Sequence, residues 1–214
     1  MYKRKEKEVK IMRIAFFGGA FDPPHTGHLA EARAVLQSGV AEKVWLVPSY
    51  VSPHKGRAGM TSYAHRMAMA ELLIAGEPDM MVSAAEEELQ ITPCYTLKVL
   101  TALQMRYPEH QFILLIGGDS LRDLHRWYCG RELVEKFEVW TYPRPGADVS
   151  VESLKAVWPS ELAEKLSAQC LKGNLSDAAS SSLREVLKSG RIPEGVLTAP
   201  VLDYIKRNNL YRGV

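Results

Sequence analysis

Cysteine is scarce in this chain: it has 3, Cys94, Cys129 and Cys170, and no two form a CxxC pair. The spacing argues against a structural zinc site, and an odd, sparse count argues against a disulfide framework. Both suit a reducing compartment, so a cytoplasmic location is expected. An excess of one charge is also lacking. Lys plus Arg number 27 and Asp plus Glu 25, for a formal net charge of +2. That balance excludes a dedicated nucleic-acid or membrane binder, and any basic site must be local. No apolar run approaches the roughly 20 residues that a membrane-spanning helix needs. With 46% hydrophobic and 24% charged residues, the chain has the composition of neither a disordered nor a fibrous protein. Its 214 residues are enough for one domain with a sizeable core.

The first residues, MYKRKEKEVK followed by IMRIAFF, are basic and then apolar, as in a signal peptide. The apolar part is short, is split by Arg13 and runs on into a glycine-rich turn, which a removed peptide would not need. Residues 1–11 therefore read as a solvated extension, and 12–214 as a single domain.

From there short apolar runs alternate with helical patterns. Ile14–Phe17, Lys43–Pro48, Met80–Ser83, Phe112–Ile116 and Phe137–Tyr142 read as strands. Thr26 onward to Gly39, Ser62–Ala75 and Thr96–Arg106 read as helices, Thr26 being the expected N-cap of the first. A short helix carries Leu121, Leu124 and Trp127, and Ser182–Lys188 and Val201–Asn208 close the chain. Residues 145–178 show no clear pattern, Pro159 interrupting what could be a helix. The alternation predicts an α/β fold: a Rossmann-like parallel sheet with helices on both faces and a small C-terminal helical part. In such sheets ligands bind beyond the carboxyl ends of the strands. The loops GGAFDPPHTGH, PSYVSPHK and GGDS all fall there, as candidates for one shared site.

The first of these loops carries the strongest chemical signal. His25 and His28 are three apart at a helix start, which puts both imidazoles on one face. The helix N-terminus adds a positive dipole and free N–H groups. Gly18 and Gly19 let the backbone approach a ligand closely. Together these read as a phosphate site with two imidazole donors. Ordinary helix-start histidines, or a metal pair with Asp22, are the competing readings, the second lacking a further ligand at a fitting spacing. The loop is neither a P-loop nor a GxGxxG dinucleotide fingerprint, since bulky residues follow Gly18-Gly19.

GGAFDPPHTGH resembles the (H/T)xGH signature of the nucleotidyltransferase superfamily, which transfers a nucleoside monophosphate from a triphosphate. The KMSKS loop and RNA-binding domains of its class I aminoacyl-tRNA synthetase members are absent from the sequence. Pro53-His54-Lys55, Arg66, Tyr95-Thr96, GGDSLRDLHRW (Gly117–Trp127), Arg144-Pro145-Gly146, Ser180–Arg184 and the ending YIKRNNLY narrow the likeness. They are similar to bacterial nicotinate-mononucleotide adenylyltransferases, over nearly the whole chain from about Met12.

The resemblance implies transfer of AMP from ATP to nicotinate mononucleotide, giving nicotinate adenine dinucleotide and pyrophosphate for NAD synthesis. The nucleophile is a phosphate oxygen, already anionic because a phosphate monoester has its second pKa near 6. No general base is needed; positioning and charge neutralisation suffice. His25 and His28 are then expected on the ATP phosphates and Arg184 on the departing pyrophosphate. Gly18, Gly19, Phe21, Asp119 (on the adenosine ribose), Ser180 and Ser181 are expected to bind ATP. Asp119 and the serine cluster also read as plain helix caps. Lys55, Tyr95, Thr96, Trp127 and Arg144 are expected on nicotinate mononucleotide, Trp127 offering its flat face to the ring, although Trp127 with Leu121 and Leu124 also reads as a core stripe. Ala20, Cys94 and Ala179 stand where the family usually has hydroxyl residues. Mg²⁺ is expected to arrive with ATP, with no dedicated protein ligands. Expected partners are the two substrates, with no nucleic acid and no membrane; a homo-oligomer is left open. The rival readings are an enzyme using nicotinamide mononucleotide or phosphopantetheine, and a non-catalytic nucleotide sensor.

Overall fold

The structure is a computed structural model, and it describes residues 11–50, 60–172 and 179–212. Most of the N-terminal extension, the Pro53-His54-Lys55 motif with Lys55, and part of the stretch before Ser180 lie outside the described residues.

Five strands form one sheet: β1 (Arg13–Gly19), β2 (Lys43–Pro48), β3 (Met80–Val82), β4 (Gln111–Gly117) and β5 (Glu138–Tyr142). Their order is β3-β2-β1-β4-β5, and each neighbouring pair is parallel. This is the doubly wound arrangement that the alternating pattern predicts, and its chain reversal falls between β1 and β4. Strand alternation divides the core. Ile14, Phe16, Phe112, Leu114 and Ile116 face one side; Ala15, Phe17, Ile113 and Leu115 face the other. Helices cover both faces, which is why these strands read as unbroken apolar runs.

On the first face lie α3 (Ala85–Leu89), α4 (Thr96–Arg106), α5 (Gly118–Asp123), a 3₁₀ turn (Leu124–Arg126), α6 (Gly130–Lys136), α7 (Val151–Lys155) and α8 (Ser160–Ala168). The second face carries α1 (Thr26–Gln37), α2 (Tyr63–Leu73), α9 (Ser180–Lys188) and α10 (Ala199–Arg207). Each fully buried leucine, such as Leu100 or Leu115, stabilises the packing by about 1.5–3 kcal/mol through area removed from water.

Several boundaries depart from the sequence reading. The N-cap of α1 is His25, not Thr26. Thr26 is the first helical residue, its N–H donating to Val196 O at 2.9 Å and its hydroxyl to Gly195 O at 3.2 Å. Residues 145–178, unreadable in sequence, contain α7 and α8. Pro159 starts α8 as its N-cap instead of interrupting a helix. After α8 the chain runs beside β5, Thr141 N–H donating to Gln169 O at 2.9 Å and Leu171 N–H to Thr141 O at 2.7 Å.

Candidate active site

The carboxyl ends of β1 and β4 spread apart at the chain reversal, and the loops leaving them line a cleft of two lobes. The first lobe holds about 300 Å³ and includes Gly18, Gly19, Phe21, His25, His28, Asp119, Arg144, Ser180, Ser181 and Arg184. The second holds about 290 Å³ and includes Ser49, Glu86, Cys94, Tyr95, Thr96 and Tyr128. Gly18, Gly19, Ala20, Ile116, Ser120 and Trp127 wall both.

The first lobe is built for an anion. The His25 and His28 rings stack 3.8 Å apart, as their spacing at a helix start dictates. Phe21 is buried against them, 4.9 Å from the His28 ring and 5.5 Å from Phe17. The main-chain N–H of His25 donates to His28 Nδ1 at 3.2 Å. That bond makes Nδ1 the acceptor, so a neutral His28 carries its proton on Nε2. Burial, reinforced by Arg144, lowers the His25 pKa to about 4. Burial, then His25 and Arg144, holds His28 well below its ordinary value. Both imidazoles are therefore neutral single N–H donors before a ligand arrives. Gly117 has no Cβ for a physical reason: one there would lie 2.5 Å from Asp119 Oδ1 and 3.1 Å from the Tyr142 hydroxyl. The N-termini of α1 and α9 meet at this lobe, adding N–H donors and positive dipole ends.

Clasps hold the surrounding loops. Arg184 Nη1 donates to Asp22 O at 2.7 Å and the Ser180 hydroxyl to Pro23 O at 3.0 Å, tying α9 to the first loop. Asp22 also accepts from the Tyr211 hydroxyl at 2.6 Å and from Thr61 N–H at 3.3 Å. Arg66 is 3% exposed and donates to Ala20 O, Ser49 O and Thr61 O at 2.8, 2.6 and 3.1 Å, so it braces loops and does not face a ligand.

The second lobe is aromatic. Trp127 packs against the first-face core, to which Leu121 and Leu124 belong, and also lines the cleft. Tyr95 and Tyr128 stack 4.3 Å apart at 8°, with the Lys98 ammonium over both rings.

Three comparisons bear on this geometry. The cytidylyltransferase-like family model matches residues 16–185. A nicotinate-nucleotide adenylyltransferase of Bacillus subtilis is 31% identical over 94% of this chain and 99% of its own length. The chain belongs to the nicotinate-nucleotide adenylyltransferase family. A "probable" member from Shewanella pealeana is 34% identical over 94% of the chain and 97% of its own length. In fold, the nicotinic acid mononucleotide adenylyltransferase of Plasmodium falciparum, solved with NaAD, superposes with a TM-score of 0.75 at 20% identity. That match covers 93% of this chain and 97% of the other.

Against the expectations for this family, the structure gathers His25, His28, Arg184, Gly18, Gly19, Phe21, Asp119, Ser180 and Ser181 around the first lobe. Tyr95, Thr96 and Trp127 line the second, and Lys55 lies outside the described residues. Arg144, expected as a phosphate partner of the acceptor, lines the histidine lobe. Its Nη2 donates to the Tyr142 hydroxyl at 3.1 Å and lies 3.2 Å from Glu31 Oε1.

Glu31 and Glu86 escape a reading by sequence. Glu31 is fully buried, and burial raises its pKa to about 8 against the pull of Arg144. Glu86 sits in a run of three glutamates whose other two members are exposed, so nothing local marks it. Tyr128 has a signal in its neighbour Trp127; the glutamates have none.

Proposed function

We propose that this chain transfers AMP from ATP to nicotinate mononucleotide, giving nicotinate adenine dinucleotide and pyrophosphate. One observation carries the reading: a cationic, helix-capped lobe and an aromatic lobe share the Trp127 wall, so two substrates meet at it. ATP and nicotinate mononucleotide are its partners in this proposal, acting in the cytoplasm without nucleic acid or membrane. No described helix is long and apolar enough to cross a membrane.

The acceptor's phosphate oxygen forms a bond to the α-phosphorus of ATP. The bridging oxygen between the α- and β-phosphates leaves with the bonding electrons as pyrophosphate, and no proton need move. The protein's task is to position three negatively charged groups and to offset their charge. His28 Nε2–H and the N-termini of α1 and α9 donate to the phosphate oxygens. Arg184, anchored through one nitrogen to Asp22 O, presents the rest of its fork to the leaving pyrophosphate. Arg144 adds its charge where the two phosphate groups meet. Asp119 accepts from the adenosine ribose, and Trp127 stacks on the cationic pyridine ring.

A divalent metal, here Mg²⁺, is proposed to enter with ATP as part of the substrate, and it would neutralise part of the phosphate charge. Among the described residues no group of three or more His, Cys, Asp or Glu side chains forms a cage.

The test is pyrophosphate release with Mg²⁺–ATP and one acceptor at a time: nicotinate mononucleotide, nicotinamide mononucleotide or phosphopantetheine. Turnover with the nicotinate acceptor is expected, and His28→Ala should lose about 10²–10³-fold in kcat, the usual cost of one transition-state donor. Release with phosphopantetheine alone overturns the proposal. ATP binding without release from any acceptor points to a sensor.

A further inference from the structure

The aromatic lobe contains one carboxyl group and, among the described residues, no cation: Glu86 is its sole Asp, Glu, Lys, Arg or His. Besides main-chain N–H groups, a ring bearing a carboxylate would therefore meet Glu86 in this lining. Given that proposed function, we infer that Glu86 distinguishes an acid from an amide on the acceptor's pyridine ring through its own protonation state.

The geometry fixes the carboxyl in place. Glu86 is 8% exposed at the start of α3, and its Oε2 accepts from Tyr50 N–H at 2.8 Å. The charged and titratable groups around it come from each neighbouring element. From α2 come Arg66, committed to three carbonyl oxygens, and Tyr63. From the segment before α4 comes the Cys94 thiol. On α4, Lys98 lies over the Tyr95 and Tyr128 rings, and on α3 itself Glu87 and Glu88 are exposed. Burial pushes the Glu86 pKa up to about 7, against the opposing pull of the Tyr50 N–H, Cys94 and Arg66.

Two carboxylates in one small lobe cannot both stay ionised at low cost. A nicotinate ring remains a carboxylate at neutral pH, so it enters with Glu86 protonated, and the Glu86 O–H donates to it. A nicotinamide ring brings an amide NH₂, which donates to ionised Glu86. Acid and amide acceptors therefore select opposite protonation states of one side chain.

The experiment measures kcat/KM for nicotinate and nicotinamide mononucleotides from pH 6 to pH 9, in wild type and in Glu86→Gln. Both acceptors carry the same ribose phosphate and meet the same ATP, so other titrations cancel in the ratio. In wild type the acid-to-amide ratio should fall about tenfold per pH unit across this range, because protonated Glu86 takes the acid and ionised Glu86 the amide. Glu86→Gln keeps an acceptor for Tyr50 N–H but cannot titrate, so its ratio should be flat. Calorimetry at pH 8 in buffers of different ionisation enthalpy gives a second readout. Nicotinate mononucleotide should take up about one proton on binding wild type and none on binding the variant. Turnover with a flat wild-type ratio, a slope that survives in Glu86→Gln, or no proton uptake overturns the inference alone. Silence with both acceptors, in turnover and in binding, removes the proposed function and this inference together.

Discussion

Burial moves titratable side chains in or beside the two lobes in two directions, and the sum is legible in stability. His25 titrates near pH 4 in the fold and near 6.5 when exposed. Between those values the unfolded chain binds more protons, so stability falls as pH drops through that window. Glu31 keeps its proton to about pH 8 in the fold but only to about 4.5 when exposed. There the folded state binds more protons, and stability falls as pH climbs from 4.5 to 8. Glu86 adds to the same alkaline loss, up to about pH 7. The histidine and carboxyl contributions oppose each other between about pH 4.5 and 6.5, so the Tm without ligand should decline above about pH 6.5 and below about pH 4.5. In Glu31→Gln the alkaline decline should shrink while the acid limb stays; an unchanged alkaline limb would refute the account. The two histidines were legible because the HxGH spacing and the helix start are local. Glu31 was not, because an acidic residue on a helix reads as solvated until the end of β5 brings Tyr142 and Arg144 against it.

At the scale of elements, the strands and the long helices follow from periodicity, since each repeats its pattern over enough residues to be counted. The short helices α3, α6 and α7 do not, having 5 to 7 residues each. Yet α6 positions Trp127. Gly130 N–H donates to Trp127 O at 2.9 Å, and a Cβ on Gly130 would run into the Leu124 carbonyl oxygen. Cys129 just before it holds φ at 49°, leaving the turn little room to adjust. Gly130→Ala should therefore displace the 3₁₀ turn and the indole. The acceptor KM is expected to rise about tenfold or more, equivalent to roughly 1.4 kcal/mol, while ATP binding changes little. An equal loss for both substrates would mean that the turn supports the whole cleft and not one lobe of it.

Across the whole molecule, a parallel sheet with helices on both faces was implied by the alternation of elements, but the strand order and the closing of the cleft were not. The C-terminal segment returns to the first loop: Tyr211 bonds Asp22, and Val196 and Gly195 receive Thr26. Tyr204 meets His65 Nδ1 on α2 at 2.9 Å. None of these pairs shares a local pattern, so only the fold reveals them. Tyr211→Phe should cost about 1–2 kcal/mol in urea unfolding, because it leaves a part-buried Asp22 oxygen short of a donor. It should also weaken ATP binding, since Asp22 O is the anchor of Arg184. Full ATP affinity in this variant would show that the first loop holds its shape without the C-terminus.

The shared wall of Gly18, Gly19, Ala20, Ile116, Ser120 and Trp127 has one more consequence. In the proposed reaction each substrate would grip one lobe and the dinucleotide both, and linking two grips in one molecule multiplies them through effective concentration. Nicotinate adenine dinucleotide should therefore act as a competitive inhibitor against ATP and against nicotinate mononucleotide alike, whereas pyrophosphate, confined to the cationic lobe, should compete with ATP alone. The cleft is thus throttled by the accumulation of what it makes.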